Sequence, residues 1–219
     1  MASAAQDVWR LINEDIVIRR AMEKDIVSMK ALAVHLIKEN KLEISSDAAI
    51  SAIRRYTEAR PIGKQYDGAK KVIAHSKDIR TISNIVIATI EKNRRTQELL
   101  QKAFSLADYD KGELLLVMQG EQSIKLLFNG KNKKRILGIF QERTIHHIED
   151  NVAEINIQLD DTAMKTPGIL AVFTNELMMN EINLIEMMSC LPELLFFVKQ
   201  RDVVKAYEVL FGLTSISGR

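Results

Sequence analysis

The chain repeats itself. Moving its C-terminal part back by 70 positions lays it on the middle of the sequence without a gap. Leu184-Ile185 then falls on Leu114-Leu115, and Met187-Met188 on Val117-Met118. Phe196-Phe197-Val198 falls on Leu126-Leu127-Phe128, and Ile155 and Ile157 fall on Ile85 and Ile87. Few residues are identical; the shared property is the order of apolar and polar positions. A period this long, seen twice, describes two copies of one small domain rather than a stack of many short units.

Each copy reads strand, helix, strand, strand, helix, strand. In the first, strands are predicted at 81–90, Leu114–Gln119, Ser123–Phe128 and Thr144–Ile148, with helices at 93–107 and Asn132–Gln141. In the second, strands are predicted at Val152–Leu159, Asn183–Cys190, Glu193–Lys199 and Leu213–Ser217, with helices at Gly168–Met179 and Val203–Phe211. This order predicts an α+β chain whose tail is two ferredoxin-like βαββαβ units, at 80–149 and 150–219. Each would be a four-stranded antiparallel sheet with both helices on one face.

The first 62 residues follow a helical period instead. Val8, Leu11, Ile12, Ile16 and Val17 line one face of a first helix. Ser28 is placed to cap a second, with Leu32, Ala33, Leu36 and Ile37 on its apolar side. Ser45-Ser46 precedes a third through Ile50, Ile53 and Tyr56. Pro61 and Gly63 close this region, and 63–79 reads as a polar linker or the wing of a winged helix. Short helices joined tightly after a longer one match a helix-turn-helix-like head. On its last helix Ser51 and Arg55 are i,i+4 neighbours, and Arg54 and Tyr56 sit at the edge where phosphates are reached. Ser51, Arg54, Arg55 and Tyr56 are therefore the candidate contacts to double-stranded DNA. An exposed helix face carrying two arginines is equally what any helical bundle shows to water.

Charge adds little. The net is only +2, with an excess of four positive charges in residues 1–80 and two negative in the rest. No apolar run is long enough for a membrane span, and Cys190 alone forms no intrachain disulfide. A cytoplasmic chain is expected. No phosphate-binding loop, dinucleotide motif, nucleophile elbow or metal-ligand spacing is present, so neither a cofactor nor catalysis is expected. His146-His147 would point to opposite faces of a strand.

In the second copy, Val152-Ala153-Glu154-Ile155-Asn156-Ile157 is followed by Thr166-Pro167-Gly168-Ile169-Leu170 and then Glu181-Ile182-Asn183-Leu184-Ile185. This pattern resembles the ACT domain, and in the Ile-Asn-hydrophobic strand it is similar to the paired regulatory domains of aspartokinases. The whole chain, helical head plus tandem ACT-like tail, resembles a poorly characterised archaeal family. The resemblance implies that the tail binds an amino acid and sets a homodimer or higher oligomer, with Asn183–Cys190 a candidate interface. The residues themselves point the same way. Pro167 presets a first helical turn, Gly168 admits a close neighbour, and free N–H groups at a helix start attract a carboxylate. The expected ligand set is Asp160, Asp161, Thr166, Pro167, Gly168, Ile169 and Asn183. Gln97-Glu98 occupies the matching place in the first copy, which argues for either a structural role or a different pocket there. The expectation is a transcriptional regulator governed by an amino acid; the alternative is the allosteric subunit of an amino-acid biosynthetic enzyme.

Overall fold

The computed structural model describes residues 4–59 and 65–214. The chain divides into two compact units, 1–64 and 65–219.

Among the described residues, the regular structure of the first unit is helical: α1 (Ala4–Glu14), α2 (Ile16–Glu23), α3 (Met29–Asn40) and α4 (Ser46–Ala59). One expected helix becomes two because Asp15 interrupts it. Its carboxylate accepts from Val17 N and Ile18 N, capping α2 at 2.7 and 3.0 Å. This turn leaves Val17 on the surface rather than in the core. Ser28 caps α3 as expected, and Lys41 ends it in a left-handed conformation. Helix α4 packs against both α1 and α3. Its Ala49, Ala52, Ile53 and Tyr56 join Val8, Ile12, Leu32 and Leu36 in one core. The Trp9 indole donates to Ala52 O at 2.8 Å and meets the Tyr56 ring edge-on.

The second unit holds α5 (Gln65–Ala74), β1 (Asp78–Glu91), α6 (Arg94–Phe104), β2 (Leu115–Gln119), β3 (Ser123–Asn129), α7 (Lys133–Leu137), β4 (Ile145–Gln158), α8 (Ile169–Met179), β5 (Leu184–Cys190), β6 (Glu193–Lys199) and α9 (Val203–Thr214). Its strands form one antiparallel sheet of six, in the order β2-β3-β1-β4-β6-β5. The expected separate sheets are thus fused through their central strands. The segment expected as linker or wing contains α5; residues 60–64 lie outside the described residues. The last strand expected at Leu213–Ser217 is not formed where it can be described, since α9 runs to Thr214. Residues 78–82 of β1 take that place, pairing with 154–158 of β4.

Apolar residues occupy both faces of the sheet. On one face Val86, Ala88, Ile90, Ile124, Leu126 and Phe128 pack under α6 and α7. Beyond them Ile155, Ile157, Leu194, Phe196 and Val198 pack under α5, α8 and α9. On the other face Ile85, Ile87, Leu127, Val152, Leu195 and Phe197 form a helix-free core of their own. That core is buried because the sheet folds over on itself. Lys125 of β3 forms an ion pair with Glu186 of β5. Four strand spacings separate those strands, ~19 Å in a flat sheet. The fold lies at Asn84 and Asn151, both left-handed, with φ of 58° and 56°. The register slips beside them, between Ile82 and Ile85. Asn84 N donates to Gln200 Oε1 at 2.8 Å, and its side chain sits against Gly130, where a Cβ would meet Asn84 Oδ1 at 2.3 Å.

Among the described residues, one carboxylate of the folded-over core is fully buried. Glu154, opposite Ile82 and Phe197, is 1% exposed. Its Oε2 has no hydrogen-bond partner among the described residues. Burial, and then the nearby Glu193 charge, push its carboxyl from the ordinary 4.5 to about 7. The raised value means that the folded chain binds the proton more tightly than the unfolded chain. Stability is therefore greatest below the unfolded value and is lost as pH climbs through the folded one. Glu154→Gln is expected to leave urea stability unchanged at pH 4 and to raise it at pH 8 by about 3 kcal/mol. A gain of equal size at both pH values would show that ionisation is not the cause.

Candidate functional site

The longest difference between the two ends of the sheet lies just before the first helix of each. Only Lys92 and Asn93 connect β1 to α6, whereas residues 159–168 connect β4 to α8. The sheet register shows which residues correspond. Ile85 and Glu91 pair with Asn129 and Ser123; Val152 and Gln158 pair with Lys199 and Glu193. The first strands are therefore 67 positions apart, the helices 75 and the β3 and β6 strands 70. A gapless shift of 70 is corrected accordingly: Ile85 and Ile87 match Val152 and Glu154, and Pro167-Gly168 matches Lys92-Asn93 rather than Gln97-Glu98.

Those matched positions differ chemically. At α6 the Asn93 side chain accepts from Thr96 N, and the Thr96 hydroxyl accepts from Asn93 N, both at 2.9 Å. This capping box satisfies the helix start internally. At α8 the capping position is Gly168, with φ of 92° and no side-chain cap. The first-turn N–H groups of Ile169, Leu170 and Ala171 have no carbonyl one turn behind them within the helix. These three residues and Thr166 border a cavity of about 370 Å³. Leu159 and Leu194 also line it, and Ser189 and Leu191 enter from the end of β5 and the turn after it.

The preceding loop is built to hold this opening. Asp160 accepts from Thr162 N at 3.0 Å, starting a 3-10 turn over Asp161–Lys165. Hydrogen bonds from Thr162, aided by the Lys77 charge, keep its carboxyl below the usual carboxylate range. The Thr166 hydroxyl donates back to Thr162 O at 2.8 Å, and Leu159 N donates to Pro192 O at 2.8 Å.

Of the expected ligand set, Thr166, Gly168 and Ile169 border the cavity. Pro167 is exposed beside it. Asp160 and Asp161 do not line it: the first is engaged by Thr162 and Lys77, and the second is exposed. Asn183 lies beyond the other end of α8, in a hollow with Met178 and Leu184. Ser189 and Leu191 are not legible in the sequence, because nothing local ties the β5–β6 turn to the β4–α8 loop; Ala163 and Met164, within that loop, carry no polar group that would mark them. In the helical unit, Ser51, Arg54 and Arg55 are exposed on α4. Tyr56 is 2% exposed and donates to Asn13 Oδ1 at 2.7 Å, so its ring and hydroxyl serve the core instead of a phosphate. Among the described residues no three His, Cys, Asp or Glu side chains gather into a metal site, and no helix is long and apolar enough to cross a membrane.

Solved structures share this architecture over 64% of the chain. The regulatory subunit of aspartate kinase from Thermus thermophilus superposes with a TM-score of 0.51 at 10% identity, over 98% of its own length. The chain shares its fold with this regulatory subunit over that length. Synechocystis aspartate kinase matches at 0.51 and 13% identity over 27% of its length. The Clostridium acetobutylicum enzyme matches at 0.50 and 19% identity. This chain spans about a third, 35%, of the Clostridium enzyme. No family profile matches the chain, and no curated protein matches it in sequence.

Gly168 is set by its backbone rather than by crowding. A Cβ built there would lie 3.6 Å from Ala69 Cβ of α5, an ordinary contact. The positive φ costs an L residue roughly 1–2 kcal/mol. Gly168→Ala is expected to lower urea stability by about that amount, and Gly168→Asn by less, since asparagine tolerates this region. Rescue of Gly168→Ala by Ala69→Gly would instead locate the cost in packing.

Proposed function

We propose that this chain is an amino-acid-responsive regulatory protein, acting as the allosteric subunit of an amino-acid biosynthetic enzyme. The observation that carries this reading is the uncapped start of α8 opening on a cavity. A helix start with free N–H groups and a favourable dipole suits the carboxylate common to all amino acids. The fold shared with an aspartate kinase regulatory subunit supports the same reading. In this view the sheet unit is a pair of ACT-like ferredoxin units, of which the second holds the effector, and the chain works as a homodimer or higher oligomer. An effector regulates only by binding one arrangement better than another.

The expected outcome is a thermal shift of the full chain with at least one of the twenty amino acids. At 100 times its Kd, the ligand adds about 2.7 kcal/mol of stability. Ala171→Trp, which fills the cavity from an exposed first-turn position, abolishes the shift. Silence across all twenty sinks the proposal.

A second reading, transcriptional regulation, draws on the exposed Ser51, Arg54 and Arg55 of a helix-turn-helix-like head. It predicts retention of genomic DNA fragments on a gel, weakened by rising salt and by Arg54→Ala with Arg55→Ala. Equal retention by the double variant would remove α4 as a reader.

A further inference from the structure

We infer that the cavity at the α8 start selects ligands with an uncharged aliphatic tail and turns away those with charged side chains. This inference rests on the proposed binding reading and names the ligand class for that site. It is carried by the composition of the walls. Leu159, Ala163, Ile169 and Leu194 line the interior and are all buried. Thr166 and Ser189 supply the only side-chain hydroxyls, and no charged side chain borders the space.

Ionisable groups that adjoin the lining in sequence do not border the space: Asp161, Lys165 and Cys190 are exposed. Asp160 is engaged by Thr162 and Lys77. Glu193 adjoins Leu194 in sequence, yet strand alternation sends it to the opposite sheet face. An ammonium or second carboxylate on the tail would therefore enter without a counter-charge, which an apolar wall penalises heavily. The mouth continues the same chemistry. Met164, Leu170 and Leu191 border it with 66%, 41% and 39% of their surfaces exposed. These side chains offer a tail further apolar area to cover. The volume, about 370 Å³, is near the lower end of the range for small-molecule pockets, ~300–1,000 Å³.

A carboxylate with an aliphatic tail describes both an amino acid and its deaminated 2-oxo acid. Calorimetric titration of the full chain separates them. L-leucine, L-valine, L-methionine and 4-methyl-2-oxopentanoate are run against L-lysine and L-aspartate. At least one aliphatic ligand is expected to bind about tenfold or more tightly than either charged one. Ala171→Trp should abolish that binding. Met164→Glu, at an exposed position, should narrow or reverse the preference against lysine. Lysine or aspartate binding as tightly as the aliphatic ligands overturns the tail selectivity and leaves the amino-acid reading intact. Binding of the oxo acid alone keeps the selectivity and removes the amino acid as effector. Aliphatic binding that survives Ala171→Trp places the ligand elsewhere and overturns the inference. Absence of all binding overturns both.

Discussion

The pairing of β1 with β4 is the interaction on which the second unit depends. Each strand is 14 residues long, and each serves both ends of the sheet. Residues 85–91 begin one strand–helix–strand–strand–helix series, while 78–82 supply the closing strand of the other. Residues 152–158 and 145–149 of β4 do the reverse. The first end closes with the segment that follows its own series, 145–149, whereas the second is completed by 78–82, from before the first series. The two halves of the sheet are therefore interlocked in one hydrogen-bonded ladder, not joined by a tether. Asn84 and Asn151 make this geometry possible. A left-handed residue in each strand bends the ladder, and a short polar side chain bears that conformation better than a branched apolar one. Folding the sheet over then buries the faces that carry no helix.

This arrangement explains what was legible in the sequence. Alternation marks a strand by having one side apolar, and β2, β3, β5 and β6 were found near their true places. In Ile85-Val86-Ile87-Ala88 every residue is apolar because both sides of the strand are covered. A shift of three positions there costs nothing in pattern yet exchanges the faces, and this is why Ile85 and Ile87 were matched to Ile155 and Ile157. The insertion before α8 and the shorter connection after it nearly cancel, so a single offset of 70 survived as a good fit. Helix α5 was concealed by Lys70, Lys71 and Gly68, although Ala69 and Ile73 stand one turn apart and are both buried. Nor does periodicity say which strand pairs with which. Nothing in residues 78–82 announces that they close the far end of the sheet.

The candidate site was legible in part for a related reason. Thr166, Gly168 and Ile169 are local to the start of α8, and their roles follow from helix termini alone. Ser189 and Leu191 reach the same space only through the β5–β6 hairpin, which tertiary structure positions. Asp160 shows what a local reading leaves out. An aspartate beside a helix start suggests a partner for a ligand's ammonium, but here its oxygens build the loop that frames the opening.

The two helix starts also show why one sheet can hold a single such site. At Asn93 the chain supplies its own acceptors, and any ligand there would have to displace two good hydrogen bonds. At Gly168 no side chain is present to do so, and the cavity opens beside it. Ala69 and Ile73 share their core with Leu159, Ala163 and Ile169, which also wall the cavity. A ligand in the cavity would thus contact the same few side chains as α5. Because packed interiors deform little, a tail that displaces Ile169 or Ala163 must also be accommodated by α5. On the proposed reading, the asymmetry between the two ends of the sheet decides where a ligand would fit and which helix would bear the cost of fitting it.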